Sequence, residues 1–381
     1  MCRLSWQAAP VLVLHVLAVA AGAALAVVTV LSAIRTVVLP RAAGSLITRV
    51  WFVSVGRVFT FAARGRDFPR RDRILAYYAP VALIALPGVW VALVIISFTG
   101  IYWGTGVHPL RDAFLVSGSS VLTLGIAFRR ALPHAALSFA EATLGLGLVA
   151  LLISYLPSIY AAFARREVLV GKLEVRAGSP PSPAELLARY SRIGLLDDVD
   201  SELFAEWEHW FMEVEESHTN LPSLVFLRSP VPERNWVTAA GCMLDTASIV
   251  LSTLKRPPGA SVTSGMAAVM VRTGFFSLRR IADYFGIDYD HDPAPDHPIS
   301  VTRGEYDLVC AELTAAGIEL RDDRDQAWQN FAGWRVNYDT VLIALAELVD
   351  APPAPWSSDR AGLRRPRPKL IRRARKHANA T

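Results

Sequence analysis

Asp112-Ala-Phe-Leu-Val-Ser-Gly-Ser-Ser-Val-Leu-Thr123-Leu-Gly-Ile-Ala-Phe128 sits between two long apolar runs. From Ile74 to Leu110 there is no Asp, Glu, Lys or Arg, and from Ala131 to Ala164 the only formal charge is Glu141. The intervening segment is too short and polar to cross a bilayer, which takes ~20 apolar residues as a helix. It is also too apolar for a solvated loop. At membrane depth a backbone bearing Ser117, Ser119, Ser120 and Thr123 must be shielded by protein or line a wet cavity. A short helix followed by a Thr-x-Gly turn suits a re-entrant pore loop. Gly125 can place its carbonyl where a residue with a Cβ resists.

Working outward, Pro10 to Ile34 is a third charge-free run. Three transmembrane helices are therefore expected, at about 10–34, 75–103 and 137–163. The first exceeds the ~7–15 apolar residues of a cleavable signal and reads as an anchor, domain 1–34. The 381 residues are 52% hydrophobic and 19% charged, which excludes a disordered chain and places the apolar excess in the spans. Cys2, Cys242 and Cys310 include no CxxC pair, so neither a disulfide framework nor a zinc cluster is expected.

Between Arg35 and Arg73 lie nine arginines against Asp67 and Asp72. The positive-inside rule puts this 35–73 loop in the cytoplasm, with the N-terminus outside and the chain after Arg165-Arg166 cytoplasmic. Arg41, Arg49, Arg57 and Arg64 recur every seven or eight residues among Val50, Trp51, Val53, Val58 and Phe61. An apolar helix with such a stripe suits the headgroup plane, so Arg49, Arg57 and Arg64 are candidate lipid-facing residues. The alternative is a half-buried helix packed on a soluble domain.

The order of helix, short helix, Thr123-Leu124-Gly125 and helix resembles the two-helix potassium-channel pore module, especially bacterial channel-like membrane proteins. Phe139 to Glu167 resembles their inner helices in its glycines, Gly145 and Gly147, and in its Arg165-Arg166-Glu167 exit. The likeness covers about 75–167. It implies a module over 74–167 that works as a homotetramer, since one loop cannot enclose a filter. It also implies a constriction lined by Thr123, Leu124, Gly125, Ile126 and Ala127, a gate or hinge at Gly145 or Gly147, and potassium or another monovalent cation as the permeant ion. The filter departs from the family pattern. Ile126 replaces the bracing aromatic, Ala127 the second glycine and Phe128 the acidic residue. Arg129 and Arg130 then place cations near the mouth. Ala127 is expected to resist the left-handed backbone of a filter glycine. Gly145 and Gly147 could instead serve close helix packing. Pro80 and Pro87 could kink the second span, Glu141 could snorkel or sit behind the filter, and His15 reads as a packing residue.

From Arg165 to Asp359 there are 17 basic and 30 acidic residues, an ordinary soluble composition. Val199, Leu203, Trp207, Trp210 and Val214 form one helical stripe, and similar runs start near Trp236 and Met266. Trp328, Phe331, Val341, Leu345 and Leu348 mark a last long helix. The domain 183–350 therefore reads as a bundle of about five helices, and the fold class is mainly α throughout. No phosphate loop, dinucleotide fingerprint or nucleophile elbow appears, so no cofactor and no enzyme activity are expected. Asp288-Tyr-Asp290-His-Asp292 begins like a calcium loop but has Pro293 where glycine belongs. His209 and Glu213 share a helix face without a second half of a metal site. Asp245, in an apolar helix, invites a basic partner such as Arg272 or Arg279. Arg335 and Asp339 can pair over one turn, and Arg228-Ser-Pro230 is a further polar string. The 351–381 segment reads as a Pro-rich linker and a basic tail. From Arg360 on it carries nine Lys/Arg and no acid, which suits anionic lipid, with nucleic acid as the runner-up. The rival readings are a non-conducting structural or sensory protein on the channel scaffold and a membrane-anchored enzyme.

Overall fold

Each charge-free run lies largely in helix, the conformation in which a single segment pairs its own backbone groups. The computed structural model describes residues 5–39, 45–196, 199, 202–255 and 263–360. Arg41, Cys2 and the tail from residue 361 lie outside them. The chain is mainly helical, 75% by residue, with no strand among the described residues beyond an isolated bridge between Leu254 and Leu320. It divides into two units: 1–64 with 77–160, and 65–76 with 161–381.

The first unit holds α1 (Ser5–Val37), α2 (Leu46–Ala63), α4 (Tyr78–Gly104), α5 (Leu110–Val121) and the first part of α6 (Leu132–Ala177). Helices α1 and α4 meet through small residues, which let membrane helices approach backbone to backbone. A Cβ on Gly22 would lie 2.5 Å from the Ser97 carbonyl oxygen, and one on Gly104 would lie 2.6 Å from that of His15. The core gathers Leu86, Trp90, Val94, Phe98, Tyr102, Val116 and Leu148. Buried polar atoms are paired across helices. Trp90 Nε1 donates to Ser32 Oγ at 3.2 Å, Trp51 Nε1 to the Ala82 carbonyl at 2.9 Å, and Tyr78 Oη to the Phe52 carbonyl at 3.1 Å.

The basic segment 35–73 is not one helix. It breaks at Gly65, with φ +70°, between α2 and α3 (Phe68–Ala76). Helix α2 is itself long and apolar enough to cross a membrane. Four stretches meet that description among the described residues: Val11–Val37, Leu46–Ala63, Phe68–Gly104 and Leu132–Ala177. These apolar helices suit a membrane-embedded protein. The third expected span is part of a single 46-residue helix that runs on to Ala177.

The second unit contains α3, the end of α6, α7 (Pro183–Arg192), α8 (Leu203–Asn220), α9 (Trp236–Ser252), α10 (Thr263–Phe285), α11 (Arg303–Ala315), α12 (Arg324–Arg335) and α13 (Asp339–Val349). Helix α9 is buried on nearly every face, as an all-round apolar helix must be within a protein core. Asn235 caps its start, its side-chain oxygen accepting from Val237 N at 2.9 Å. Trp207, Trp210, Phe211 and Trp236 crowd the centre. Helix α11 opens on a capping box of Thr302 and Glu305.

Three expectations change here. From Pro183 onward the described bundle has seven helices rather than five. The last long helix is two: the Asn337 amide donates to the Gly333 and Trp334 carbonyls at 3.0 and 3.3 Å, ending α12 by a side-chain cap before α13 begins. Residues 351–360 are also not a linker. Ala351, Ala354 and Trp356 are buried, and Trp356 packs against Phe331 at 5.5 Å between ring centroids.

Candidate functional site

Helix α5 starts after Pro109, carries Asp112 in its first turn and stops at Leu122. Beyond it Thr123 and Gly125 take left-handed backbones, with φ +54° and +70°. For a β-branched residue that geometry is a true outlier, and it persists only where surrounding contacts impose it. Ser119 imposes it from both sides. Its carbonyl accepts from Leu124 N at 2.8 Å and its hydroxyl accepts from Ala127 N at 3.0 Å. Arg129, beyond the loop, reaches back to Asp112 at 3.1 Å. The loop is thus a closed turn held at its base. Ala127 is not among the residues with positive φ, so the expected conflict between its Cβ and a left-handed backbone does not arise. Thr123 bears that cost instead.

Leu124, Ile126 and Phe128 are each more than half exposed. Behind the loop Glu141 is fully buried. Its Oε1 accepts from Ser117 Oγ, which also faces the Ile95 carbonyl, and its buried Oε2 has no hydrogen-bond partner among the described residues. Glu141 therefore sits behind the loop rather than snorkelling to a surface. Gly145 and Gly147 part company. A Cβ on Gly145 would lie 2.1 Å from the Val121 carbonyl oxygen, whereas one on Gly147 would meet nothing within 4 Å. Gly145 is the seat of the α5 C-terminus on α6, and α6 runs unbroken through both glycines. Thr123 to Ala127 and Gly145 thus belong to one constellation. Gly147 does not touch it. Sequence reasoning missed Ser119 as the organiser, since a serine run says nothing of which hydroxyl turns inward.

Among the arginines of the basic segment, Arg57 and Arg64 are exposed and Arg49 is half-buried.

In the second unit the arginines of the exit motif differ in role. Arg165 is exposed near Glu213, at 3.5 Å. Arg166 is buried and donates to the carbonyls of Leu224 and Leu227 at 2.8 and 2.7 Å and to His218 Nε2 at 3.0 Å. Its guanidinium also lies over the Phe163 ring at 5.1 Å. Arg228, one residue past the Leu227 acceptor, pairs with buried Asp72 of α3 and donates to the Val349 and Asp350 carbonyls. The 224–228 segment thereby holds both the α6 exit and the helix that leads into α4.

An arginine only donates, so His218 Nε2 must accept, and its Nδ1–H points at Ser217 Oγ, 3.0 Å away. Burial first, and the Arg166 charge second, push this imidazole well below its ordinary 6.5. The unfolded chain then binds a proton below 6.5 that the fold refuses, so stability is full above that value and falls as pH drops through it. His218→Gln, whose amide oxygen can still accept from Arg166 and which does not titrate, is expected to flatten the melting temperature against pH below 6.5. An unchanged slope would remove His218 from the account.

Asp245 takes neither Arg272 nor Arg279 as partner. Arg279 donates to the Asn337 and His291 carbonyls, both at 3.0 Å, and Arg272 lies over Phe276. The partner is Arg335, fully buried, which bridges Asp245 and Asp339. Glu213 stands apart at the surface, so Asp245, Asp339 and Glu213 do not share a cleft. A cavity of about 250 Å³ lies beside Tyr289, Asp290, His297 and Asn337. The calcium-like string borders it, with Asp290 accepting from Asp292 N at 3.1 Å. No group of three or more His, Cys, Asp or Glu side chains converges on a metal position among the described residues. Arg360, the first residue of the expected basic tail, pairs with Glu305 at 2.7 Å instead of lying free.

No protein-family model, curated protein or solved structure matches this chain.

Proposed function

We propose that the chain is one subunit of a homotetrameric membrane channel for monovalent cations, potassium among them, gated under the influence of its helical second unit. The observation that carries this reading is the strained, braced turn at Thr123–Gly125 at the end of a short helix between two apolar ones. Strain of about 1–3 kcal/mol at one residue is maintained where a conformation serves a purpose. The exposure of Leu124 and Ile126 supports assembly, because four loops around one axis would cover them. In this reading the N-terminus is outside and the 183–350 domain cytoplasmic. Helix α2 lies in the headgroup plane and does not span, since Arg57 near its middle would cost about 2.5–3.5 kcal/mol at the bilayer centre. Anionic lipid meets Arg49, Arg57 and Arg64 and the basic tail, and no nucleic acid takes part.

A second reading, a non-conducting structural or sensory protein on the same scaffold, is favoured by the aliphatic Ile126 and by Arg129 and Arg130 beyond it. Ion flux from liposomes carrying the purified protein separates the two. Cation flux above chloride is expected, falling at least tenfold in Ser119→Ala, which frees the Ala127 amide. Absence of flux from folded, tetrameric protein would leave only the scaffold reading.

A further inference from the structure

The close approach of α1 and α4 has a chemical consequence at one end. Gly104 is the last residue of α4, and a Cβ there would also lie 2.7 Å from Val19 Cγ2. Backbones this near carry His15 of α1 to the turn after α4, where His108 stands. The two imidazole centroids are 5.2 Å apart and their planes are inclined by 33°. Trp103 packs edge-on against both, at 4.8 Å from His15 and 5.8 Å from His108. The indole thus limits how far either ring can turn away. His15 is half-buried, and His108, in the turn beyond the apolar helix, is exposed.

Two imidazoles bound to one tetrahedral ion through metal–nitrogen bonds of about 2.0–2.1 Å have centroids about 5 Å apart. The observed separation matches that distance. Imidazole nitrogens suit zinc, copper and nickel ions and do not suit calcium or magnesium. An ionisable side chain within an apolar span also calls for a partner, and His108 is the one at hand.

We propose that His15 and His108 form a two-histidine site for a divalent transition-metal ion of the zinc class. The chain supplies two ligands and water supplies the others, so the ion exchanges freely, unlike one in a closed four-ligand structural site. Bound there, it ties α1 to the turn that leads into α5. Nothing in the proposal depends on conduction.

Isothermal titration of zinc into the full-length, tag-free, chelator-washed protein tests it. One ion per chain is expected at this site, bound at least tenfold more weakly in His15→Gln and in His108→Gln. His134→Gln is expected to bind as the wild type, because that imidazole sits with Thr105 at 3.2 Å instead. His108→Cys, which returns a soft ligand, is expected to restore binding. His108 is exposed, so its variants carry the test even if His15→Gln does not fold. No zinc binding by the wild type, or binding unchanged in both glutamine variants, overturns the proposal.

Discussion

Arg335→Met is expected to destabilise the helical unit by about 3–5 kcal/mol, the usual cost of leaving a buried charge unpaired. Arg335 is fully buried and contacts Asp245, Asp339 and the Trp356 carbonyl. Burial alone would lower its pKa, but the two carboxylates more than offset that and hold it above its ordinary value. Methionine keeps most of the volume and removes every donor. Asp339 would retain Ser300, whose amide and hydroxyl donate to it at 2.9 and 2.7 Å. Asp245 would retain only the Tyr338 hydroxyl, at 2.8 Å. The double variant Arg335→Met/Asp245→Leu is therefore expected to recover much of the loss, because apolar replacement of a buried pair is often near neutral. Tryptophan-fluorescence melts of the full chain in detergent measure both. A double variant no better than the single one would show that the Asp245 charge is not the source of the penalty.

Gly145→Ala is expected to cost about 1–3 kcal/mol through overpacking, at the upper end because its neighbour is backbone. The added carbon would lie 2.1 Å from the Val121 carbonyl oxygen, so α5 and the turn at Thr123 must move. Gly147→Ala, two residues on, meets nothing and is expected to gain about 0.5–1 kcal/mol from helix propensity. Thermal stability of the two purified variants, side by side, checks the contrast. Equal effects would mean that α6 does not pack on α5 as described. In the flux assay only Gly145→Ala is expected to change the signal.

The two glycines show how far a sequence can be read here. Both sit in one apolar helix with the same local chemistry, and the pattern that marks them as packing or hinge positions is identical. Only the approach of α5 distinguishes them. The arginines behave likewise. Arg165 and Arg166 look like a pair of charges at a membrane exit, yet one is exposed and the other is buried against the Leu224 and Leu227 carbonyls. Asp245 advertised a need for a cation. Its partner came from ninety residues away rather than from the neighbouring helix.

What the amino-acid order determined by itself is local. Runs without charge long enough to span lipid had to become helices, because no other backbone conformation satisfies its own hydrogen bonds there. The short serine-rich helix and the turn after it followed from polarity and from Gly125. The break between α12 and α13 was local too, written in Asn337, but its signal is a single side chain against a strong apolar period. What the tertiary structure alone decided is which distant groups meet: Arg335 with Asp245, Arg228 with Asp72, and His15 with His108. Those pairings depend on the separation and rotation of whole helices. In the first unit these are set by close packing at a few small residues, Gly22, Gly104 and Gly145, whose effect no neighbour in sequence reveals.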